Sequence, residues 1–233
     1  MTEPTPILLI PGLLCSPRLY AGQLPQLWRL GPVTIADHTR DDSVRAIAQR
    51  ILASAPPRFA LIGLSMGGYI SFEIMRQSPE RVAKLALLDT SPRPDTPQQN
   101  EARRAQIDLA KSGRLTEVLD AAFPNLVHPK HRADERMRQV HHQMAAEVGA
   151  DGFVRQQLAN IGRPDSRPGL SAIRCPTLVL VGDSDALTPP DIAAEIANGI
   201  AGARLVTVPE SGHASTVEQP ECVTRALMEF LQT

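Results

Sequence analysis

Short apolar stretches alternate along this chain with longer segments whose apolar residues recur at helical spacing. Six of the short stretches have the length and the β-branched content of buried strands. Strands that alternate with helices in this way are typical of a parallel sheet covered by helices on both faces. The pattern therefore predicts an α/β protein with about six mostly parallel strands. These strands are predicted over residues 7–10, 33–36, 59–64, 84–89, 177–182 and 204–208.

The helical pattern is clearest over residues 43–55, where apolar side chains recur at intervals of three and four. Asp42 precedes this segment and is its predicted N-cap. A more apolar helix is predicted over residues 66–77, directly after the third strand. Thr188 is the predicted N-cap of a later helix, and Pro220 begins the last one.

Residues 91–171 interrupt the alternation, because they contain helical patterns and no strand pattern. Proline-rich segments lie at both ends of this stretch. The chain is therefore predicted to have a core made of residues 1–90 and 172–233, with residues 91–171 inserted in it as a helical domain. The predicted helices of the insertion cover residues 97–113, with Thr96 as N-cap, 114–122 and 130–147.

One pentapeptide carries the clearest chemical signal. Residues 63–67 read Gly-Leu-Ser-Met-Gly, between the third strand and a predicted helix. Glycines two positions before and after the serine leave room where a strand turns sharply into a helix, and the turn exposes the hydroxyl of Ser65. A serine hydroxyl is a weak nucleophile unless a base activates it and a third group orients that base.

Candidate partners for Ser65 follow later strands. Asp183 and Asp185 come after the strand over residues 177–182, and His213 comes after the strand over residues 204–208. The carboxyl ends of parallel strands share one edge of the sheet, which is where such proteins bind ligands. The order Ser, Asp, His is one of the known arrangements of a catalytic triad. Asp89, at the end of another strand, is a third candidate for the acid.

These segments together resemble those of the α/β-hydrolase family, of the serine esterase type. The resemblance covers nearly the whole chain and implies a three-layer α/β-hydrolase fold, with residues 91–171 as its helical cap, or lid. The segments that carry the resemblance are Ile-Pro-Gly-Leu-Leu at 10–14, Gly-Leu-Ser-Met-Gly-Gly at 63–68, Gly-Asp-Ser-Asp at 182–185 and Ser-Gly-His at 211–213.

The resemblance also implies which aspartate is the acid. In the family it usually falls three residues after the glycine that ends the strand, and this position is Asp185. Asp183 is then expected to be a turn residue whose side chain bonds backbone amides. Asp89 is expected to cap the segment that follows it.

Two backbone amides are expected to stabilise the negative charge that develops on a substrate oxygen. Met66 is the first residue of the helix that follows the serine. The dipole of that helix favours negative charge near the Met66 N–H. The loop after the first strand resembles the His-Gly-X loop of the family, which implies the N–H of Leu13 as the second donor and Leu14 as the alternative. Pro11 stands where the family usually has the histidine, so this loop needs different support.

The predicted function is hydrolysis of a carboxylic ester through an acyl-enzyme, with Ser65 as nucleophile, His213 as general base and acid, and Asp185 as the acid that orients it. The alternatives are a lactonase, a carbon–carbon bond hydrolase or an acyltransferase on the same triad, and a receptor that binds ligands without turnover. The partner is a small-molecule ester, and neither a metal nor a cofactor is required.

Composition limits the expected partners and the expected location of the protein. The net charge of −1 provides no basic surface for nucleic acid or membranes, and three widely spaced cysteines indicate no disulfide framework. The first residues have no secretory signal pattern, so the expected location is cytoplasmic. Trp28 is expected in the core. His38 is expected in a surface turn, with a position at the edge of the pocket as the alternative, and Cys15 as a small buried side chain, with a substrate contact as the alternative. No metal site is expected from the histidines of the insertion, which are His128, His131, His141 and His142.

Overall fold

The computed structural model describes residues 4–233 and contains one six-stranded sheet in which all paired strands are parallel. The strand order is β2-β1-β3-β4-β5-β6. The predicted fold class is confirmed, and the ends of the predicted strands are correct to within two residues. The strands are β1 (Ile7–Ile10), β2 (Val33–Ile35), β3 (Phe59–Leu64), β4 (Val82–Leu88), β5 (Thr177–Gly182) and β6 (Arg204–Val208).

Helices cover both faces of the sheet. One face carries α2, α3 and α7, and the other carries α1 and α9. No helix in the described part of the chain is long and apolar enough to cross a membrane. The helices are α1 (Leu24–Leu27), α2 (Val44–Ser54), α3 (Met66–Gln77), α4 (Pro97–Lys111), α5 (Leu115–Leu126), α6 (Glu135–Ile161), α7 (Pro190–Gly199), α8 (Ser215–Glu218) and α9 (Pro220–Gln232).

Strands β1, β3 and β5 are buried along their whole length, which explains why they read as continuous apolar runs rather than alternating ones. Their side chains still alternate between two cores. Leu61 of β3 packs with Ile70 of α3 on one face. Ile62 packs with Leu227 of α9 on the other face. The sheet is therefore held from both sides, and its carboxyl edge is a rigid base for the loops that follow the strands.

Three local predictions are wrong. Ser43, not Asp42, caps α2, because its hydroxyl accepts a hydrogen bond from the N–H of Ala46 at 3.2 Å. Thr188 does not cap α7, whose N-cap is Pro189. Trp28 is 68% exposed. The short helix α1 directs Leu27 inward, and the next side chain falls on the outward face.

The inserted helices α4, α5 and α6 lie over the carboxyl edge of the sheet. Phe153 of α6 and Val118 of α5 pack on Leu14, in the loop after β1. Helix α6 extends beyond its predicted end, because a single non-helical residue, Gly149 (φ 73°, ψ 168°), joins two helical segments into one element. The helical character predicted for residues 91–171 is therefore observed.

A buried ion cluster holds the two ends of the insertion together. The carboxylate of Asp95, whose side chain is 1% exposed, pairs with Arg103 of α4 and lies 2.7 Å from a guanidinium nitrogen of Arg163. The Arg163 guanidinium also lies 4.2 Å from the ring centroid of Tyr69 in α3. The cluster thus connects the start of the insertion, its end and the core.

We expect Asp95→Asn to lower the free energy of unfolding by about 3–5 kcal/mol, because it leaves the buried guanidinium of Arg163 and the partly buried one of Arg103 without a countercharge. Urea unfolding of the variant and the parent measures the difference. Glu229→Gln is the matched control, since it removes an ion pair with Arg204 in which both side chains are about half exposed. The control is expected to change stability by less than about 1 kcal/mol. Equal losses in the two variants would contradict the assigned role of the buried cluster.

Candidate functional site

Ser65 occupies a strained turn between β3 and α3. Its backbone has φ 54° and ψ −114°, a conformation that residues with a side chain rarely adopt. Two contacts hold it. The Ser65 N–H donates to the carbonyl of Leu88 at 2.9 Å. The hydroxyl of Thr90 donates to the Ser65 carbonyl at 2.7 Å. The end of β4 therefore fixes the turn and directs the Ser65 side chain away from the sheet edge.

The glycines on either side of Ser65 are required by close contacts between backbones. A Cβ atom on Gly67 would lie 2.1 Å from the carbonyl oxygen of Ile10 in β1. A Cβ atom on Gly63 would lie 2.3 Å from the carbonyl oxygen of Gly67. Both distances are far shorter than a carbon–oxygen contact allows, so any side chain at either position would push α3 away from the sheet. The Gly-x-Ser-x-Gly pattern therefore has the steric origin that the sequence indicated.

The structure brings Ser65, His213 and Asp185 into one hydrogen-bonded chain. The Nε2 atom of His213 lies 2.8 Å from the Oγ atom of Ser65. The Nδ1 atom of the same imidazole lies 2.8 Å from Oδ2 of Asp185. Because a carboxylate only accepts, the proton lies on Nδ1, and Nε2 is left to accept from the serine hydroxyl.

Four donors fix the carboxylate of Asp185. Its Oδ1 atom accepts from the N–H groups of Leu187 at 2.8 Å and Thr188 at 2.9 Å. Its Oδ2 atom accepts from the Thr188 hydroxyl at 2.8 Å and from His213. Burial favours the neutral acid, but His213 and these donors outweigh it, so the pKa of Asp185 lies below its ordinary 3.8. Asp185 is therefore ionised at neutral pH.

The imidazole of His213 is 5% exposed, and it responds to opposing influences. Burial lowers its pKa, whereas the charge of Asp185 and its hydrogen bond raise it, and the net result is a pKa above the ordinary 6.5. The loop that carries His213 is also tied to the insertion. The N–H of Ala214 donates to the carbonyl of Leu126 at 3.0 Å. The orientation of the imidazole therefore depends on both core and insertion.

The other two aspartates make different contacts. Asp183 accepts from the N–H groups of Glu210 and Ser211, as expected of a turn residue. Asp89 does not cap the segment after it. It is fully buried, accepts from the N–H of Gly182 at 2.9 Å and bonds the Ser215 hydroxyl.

The buried setting changes the charge of Asp89. Burial, reinforced by the charge of Asp185, raises the pKa of Asp89 to about 8. Asp89 is therefore largely protonated at pH 7, whereas Asp185 is ionised. Of these two carboxyl groups, only Asp185 is both charged and hydrogen-bonded to His213.

Beside Ser65, the backbone N–H groups of Leu13 and Met66 have no acceptor among residues 4–233. Met66 is the first residue of α3, so the positive end of the helix dipole lies there. The loop of Leu13 is adjacent, since a Cβ atom on Gly12 would lie 3.4 Å from Cβ of Ser65. The alternative donor, Leu14, is already engaged, because its N–H donates to Oε1 of Gln156 at 3.0 Å.

His38 contacts the same loop, and Cys15 belongs to it. The expectation of a surface turn for His38 is wrong. Its side chain is 2% exposed, and its Nε2 atom lies 2.9 Å from the carbonyl oxygen of Gly12. The His38 side chain points inward because it follows β2, which pairs with β1, and the loop follows β1. Burial raises the pKa of the Cys15 thiol to about 12, so the thiol stays protonated at neutral pH.

Sequence reasoning missed His141 as a neighbour of the site. It lies on α6, 8% exposed, and its ring meets that of Phe123 edge to face at a centroid distance of 5.5 Å. Burial, with smaller contributions from the charges of His142 and His213, lowers the pKa of His141 to about 4. Its Nε2 atom is buried and has no partner in the described structure. A single histidine on a helical pattern carries no signal that separates such a position from a surface one.

Comparison with known proteins places this chain in a family. A sequence model of the alpha/beta hydrolase family matches residues 7–226. A pimeloyl-[acyl-carrier protein] methyl ester esterase from Aromatoleum aromaticum is 26% identical over 234 residues, which cover 92% of this chain and 93% of the relative. A thermophilic esterase from Thermogutta terrifontis, solved with malate bound, superposes with a TM-score of 0.89 at 29% identity, covering 99% of this chain and 90% of that one.

A second solved structure shows the same fold. The enol-lactonase from Burkholderia xenovorans superposes with a TM-score of 0.89 at 22% identity, over 99% of this chain and 92% of the other. The family match covers all six strands and extends from β1 into α9. By fold and by sequence, this chain belongs to the alpha/beta hydrolase family.

Proposed function

We propose that this protein is a serine hydrolase that cleaves small carboxylic esters through an acyl-enzyme. The observation that carries the proposal is the pair of 2.8 Å hydrogen bonds that join Ser65 to His213 and His213 to Asp185. A strained turn presents the serine, a buried ionised carboxylate orients the histidine, and unpartnered amides lie beside the hydroxyl. This combination supplies each group that acyl transfer by serine requires.

In the first half of the reaction, Oγ of Ser65 attacks the carbonyl carbon of the ester. The hydroxyl proton moves to Nε2 of His213, and the carbonyl oxygen becomes an oxyanion. The N–H groups of Leu13 and Met66 donate to that oxyanion, which they stabilise more strongly than the neutral carbonyl of the substrate. Asp185 remains ionised and stabilises the imidazolium.

Acylation is completed when the tetrahedral intermediate collapses. The bond between the carbonyl carbon and the alcohol oxygen breaks, and His213 gives its proton to the departing alkoxide. Water then takes the place of the alcohol and attacks the acyl-enzyme as His213 accepts its proton. Breakdown of the second intermediate releases the carboxylic acid and returns the proton to Ser65. Neither a metal nor a cofactor takes part in these steps.

The names of two similar proteins favour an ester over other acyl compounds. The Aromatoleum relative and the Thermogutta structure are both named as esterases. The insertion also contacts the loops that carry the site, because its helices pack on Leu14 and its backbone bonds the loop of His213. We propose that residues 91–171 act as a lid that determines which acyl and alcohol groups reach Ser65.

Hydrolysis of a graded series of esters tests the proposal. The purified protein is assayed with nitrophenyl esters from acetate to decanoate and with the matching methyl esters in a pH-stat. We expect saturable hydrolysis of both kinds of ester, with kcat/KM greatest at one acyl length. Heat-denatured protein is the control for spontaneous hydrolysis. Ester-dependent stabilisation against heat without any turnover would contradict the proposal and would indicate a receptor.

A further inference from the structure

The loop after β1 is held from two sides by side chains that have no place in the steps above. His38, from the end of β2, places Nε2 at 2.9 Å from the Gly12 carbonyl oxygen. Gln156, from α6 of the insertion, accepts the N–H of Leu14 at 3.0 Å. The amide nitrogen of Gln156 also lies 2.9 Å from Nε2 of His38. Both side chains are buried, with exposures of 2% for His38 and 0% for Gln156.

These contacts act on the peptide unit that carries the unpartnered donor. The Gly12 carbonyl and the Leu13 N–H belong to the same planar trans peptide, in which they point in opposite directions. A hydrogen bond that fixes the carbonyl therefore fixes the direction of the N–H. It also polarises the peptide and makes the N–H a stronger donor. His38 is thus placed to aim and strengthen the Leu13 donor from its far side.

The loop needs such support for two reasons. Leu14 has φ 57°, a left-handed conformation that a leucine adopts only when its surroundings impose it. Pro11, at the start of the loop, has neither an N–H nor a polar side chain with which to hold it. The hydrogen bond from Leu14 to Gln156 fixes the peptide on the other side of Leu13. Each peptide that flanks the donor residue is therefore held by a buried side chain.

The Gly12 carbonyl and the side-chain amide of Gln156 compete for the Nε2 atom of His38. The Gly12 carbonyl can only accept, and the Gln156 amide group facing His38 can only donate, because its oxygen is engaged by Leu14. With a proton on Nε2, His38 bonds Gly12; with the proton on Nδ1, it accepts from Gln156. The position of α6 therefore influences which tautomer of His38 is present.

We propose that His38 and Gln156 are positioning residues that aim the Leu13 N–H at the oxyanion of the reaction, and that Gln156 makes this aim depend on the packing of the insertion. The proposal rests on the proposed function, because it assigns a role within that reaction. Neither residue touches the reacting atoms, so each acts through the loop after β1.

Paired variants test this role. His38→Leu and Gln156→Met keep approximate size but remove the polar groups. We expect each to lower kcat by about 10- to 100-fold with KM changed less than about threefold, since a misaimed donor loses part of the 10²–10³ that one oxyanion donor contributes. His38→Gln can donate to Gly12 and accept from Gln156 with separate atoms, so it is expected to retain most of the activity.

If the variants only disturbed packing, kcat would follow a different pattern among them. Gln157→Met is the matched control, because Gln157 is the next residue of α6, is fully buried and bonds Arg103 and Gln106 rather than the loop. It is expected to leave kcat unchanged. The affinity for a trifluoromethyl ketone, which forms a tetrahedral adduct with a reactive serine, is expected to fall in parallel with kcat in His38→Leu and Gln156→Met only. The double variant is expected to lose less than the product of the two single losses.

The outcomes separate this inference from the proposed function. A parent protein that hydrolyses esters, with His38→Leu and Gln156→Met folded and their kcat within about twofold of the parent, would overturn the inference and leave the esterase proposal standing. A parent protein with no esterase activity would overturn both. If Gln156→Met does not fold, the contrast between His38→Gln and His38→Leu decides the same question.

Discussion

Replacing Ser65 with alanine is expected to reduce kcat for ester hydrolysis by about 10⁴- to 10⁶-fold and to change KM little. The reason is that no other nucleophile among residues 4–233 is placed to attack. The imidazole of His213 is directed at Oγ of Ser65, and the nearby thiol of Cys15 is held protonated by its burial. The measurement is the steady-state rate on the best ester of the series, with protein purified separately from the parent.

The matched control is Ser184→Ala, which removes a hydroxyl whose side-chain partner is Asp183, at the end of β5. It is expected to retain the parent rate. If Ser65→Ala kept more than about one-tenth of the parent kcat while remaining folded, Ser65 would not be the nucleophile, and the proposed mechanism would be wrong.

Replacing Asp185 with asparagine is expected to reduce kcat by about 10⁴-fold, although the side chain keeps its shape. The carboxylate accepts from Nδ1 of His213 and so keeps Nε2 free to accept from Ser65. An amide at this place favours the opposite tautomer, in which Nε2 carries the proton. The loss should appear in kcat rather than in KM, because binding of the ester does not need the carboxylate.

The pH profile gives a second readout of the same pair. His213 acts as a base only when neutral, so kcat/KM falls as the pH drops through its pKa, which lies above 6.5 in the parent. The charge of Asp185 contributes to that elevation. Asp185→Asn should therefore move the midpoint of the acid limb to lower pH, in addition to lowering the plateau. An unchanged midpoint would contradict the assigned interaction.

Asp89→Asn is the control for the identity of the acid. The pKa of Asp89 is raised to about 8, so asparagine resembles the neutral acid that is present at pH 7. Its rate is expected to stay within about tenfold of the parent. A larger loss in Asp89→Asn than in Asp185→Asn would show that the acid lies at the end of β4 instead of β5.

The sequence predicted the parts of this protein that short-range patterns specify. Continuous apolar runs mark strands that are buried on both faces, and so the sheet was predictable strand by strand. The glycines around Ser65 mark a backbone crossing that no side chain could occupy. Because Asp185 and His213 each follow a strand, their approach to Ser65 at one edge of the sheet was also predictable.

The sequence did not predict features that depend on how distant segments pack. His38 looked like a loop residue, and it is buried because β2 pairs with β1 and Gln156 of α6 contacts the imidazole. Gln156 lies beyond the predicted end of its helix. The break at Gly149 changes the direction in which the side chains after it point. Trp28 is exposed because α1 is too short to bury a second large side chain. Each of these outcomes depends on tertiary packing rather than on local periodicity.

The acyl-enzyme itself gives the most direct test of the central claim. The protein is mixed briefly with a nitrophenyl ester, quenched in acid, digested and analysed by mass spectrometry. We predict that one peptide gains the mass of the acyl group, that fragmentation places the group on Ser65, and that Ser65→Ala shows no such adduct. Continued ester hydrolysis by the parent with no acylated peptide, or with the acyl group on another residue, would contradict the account.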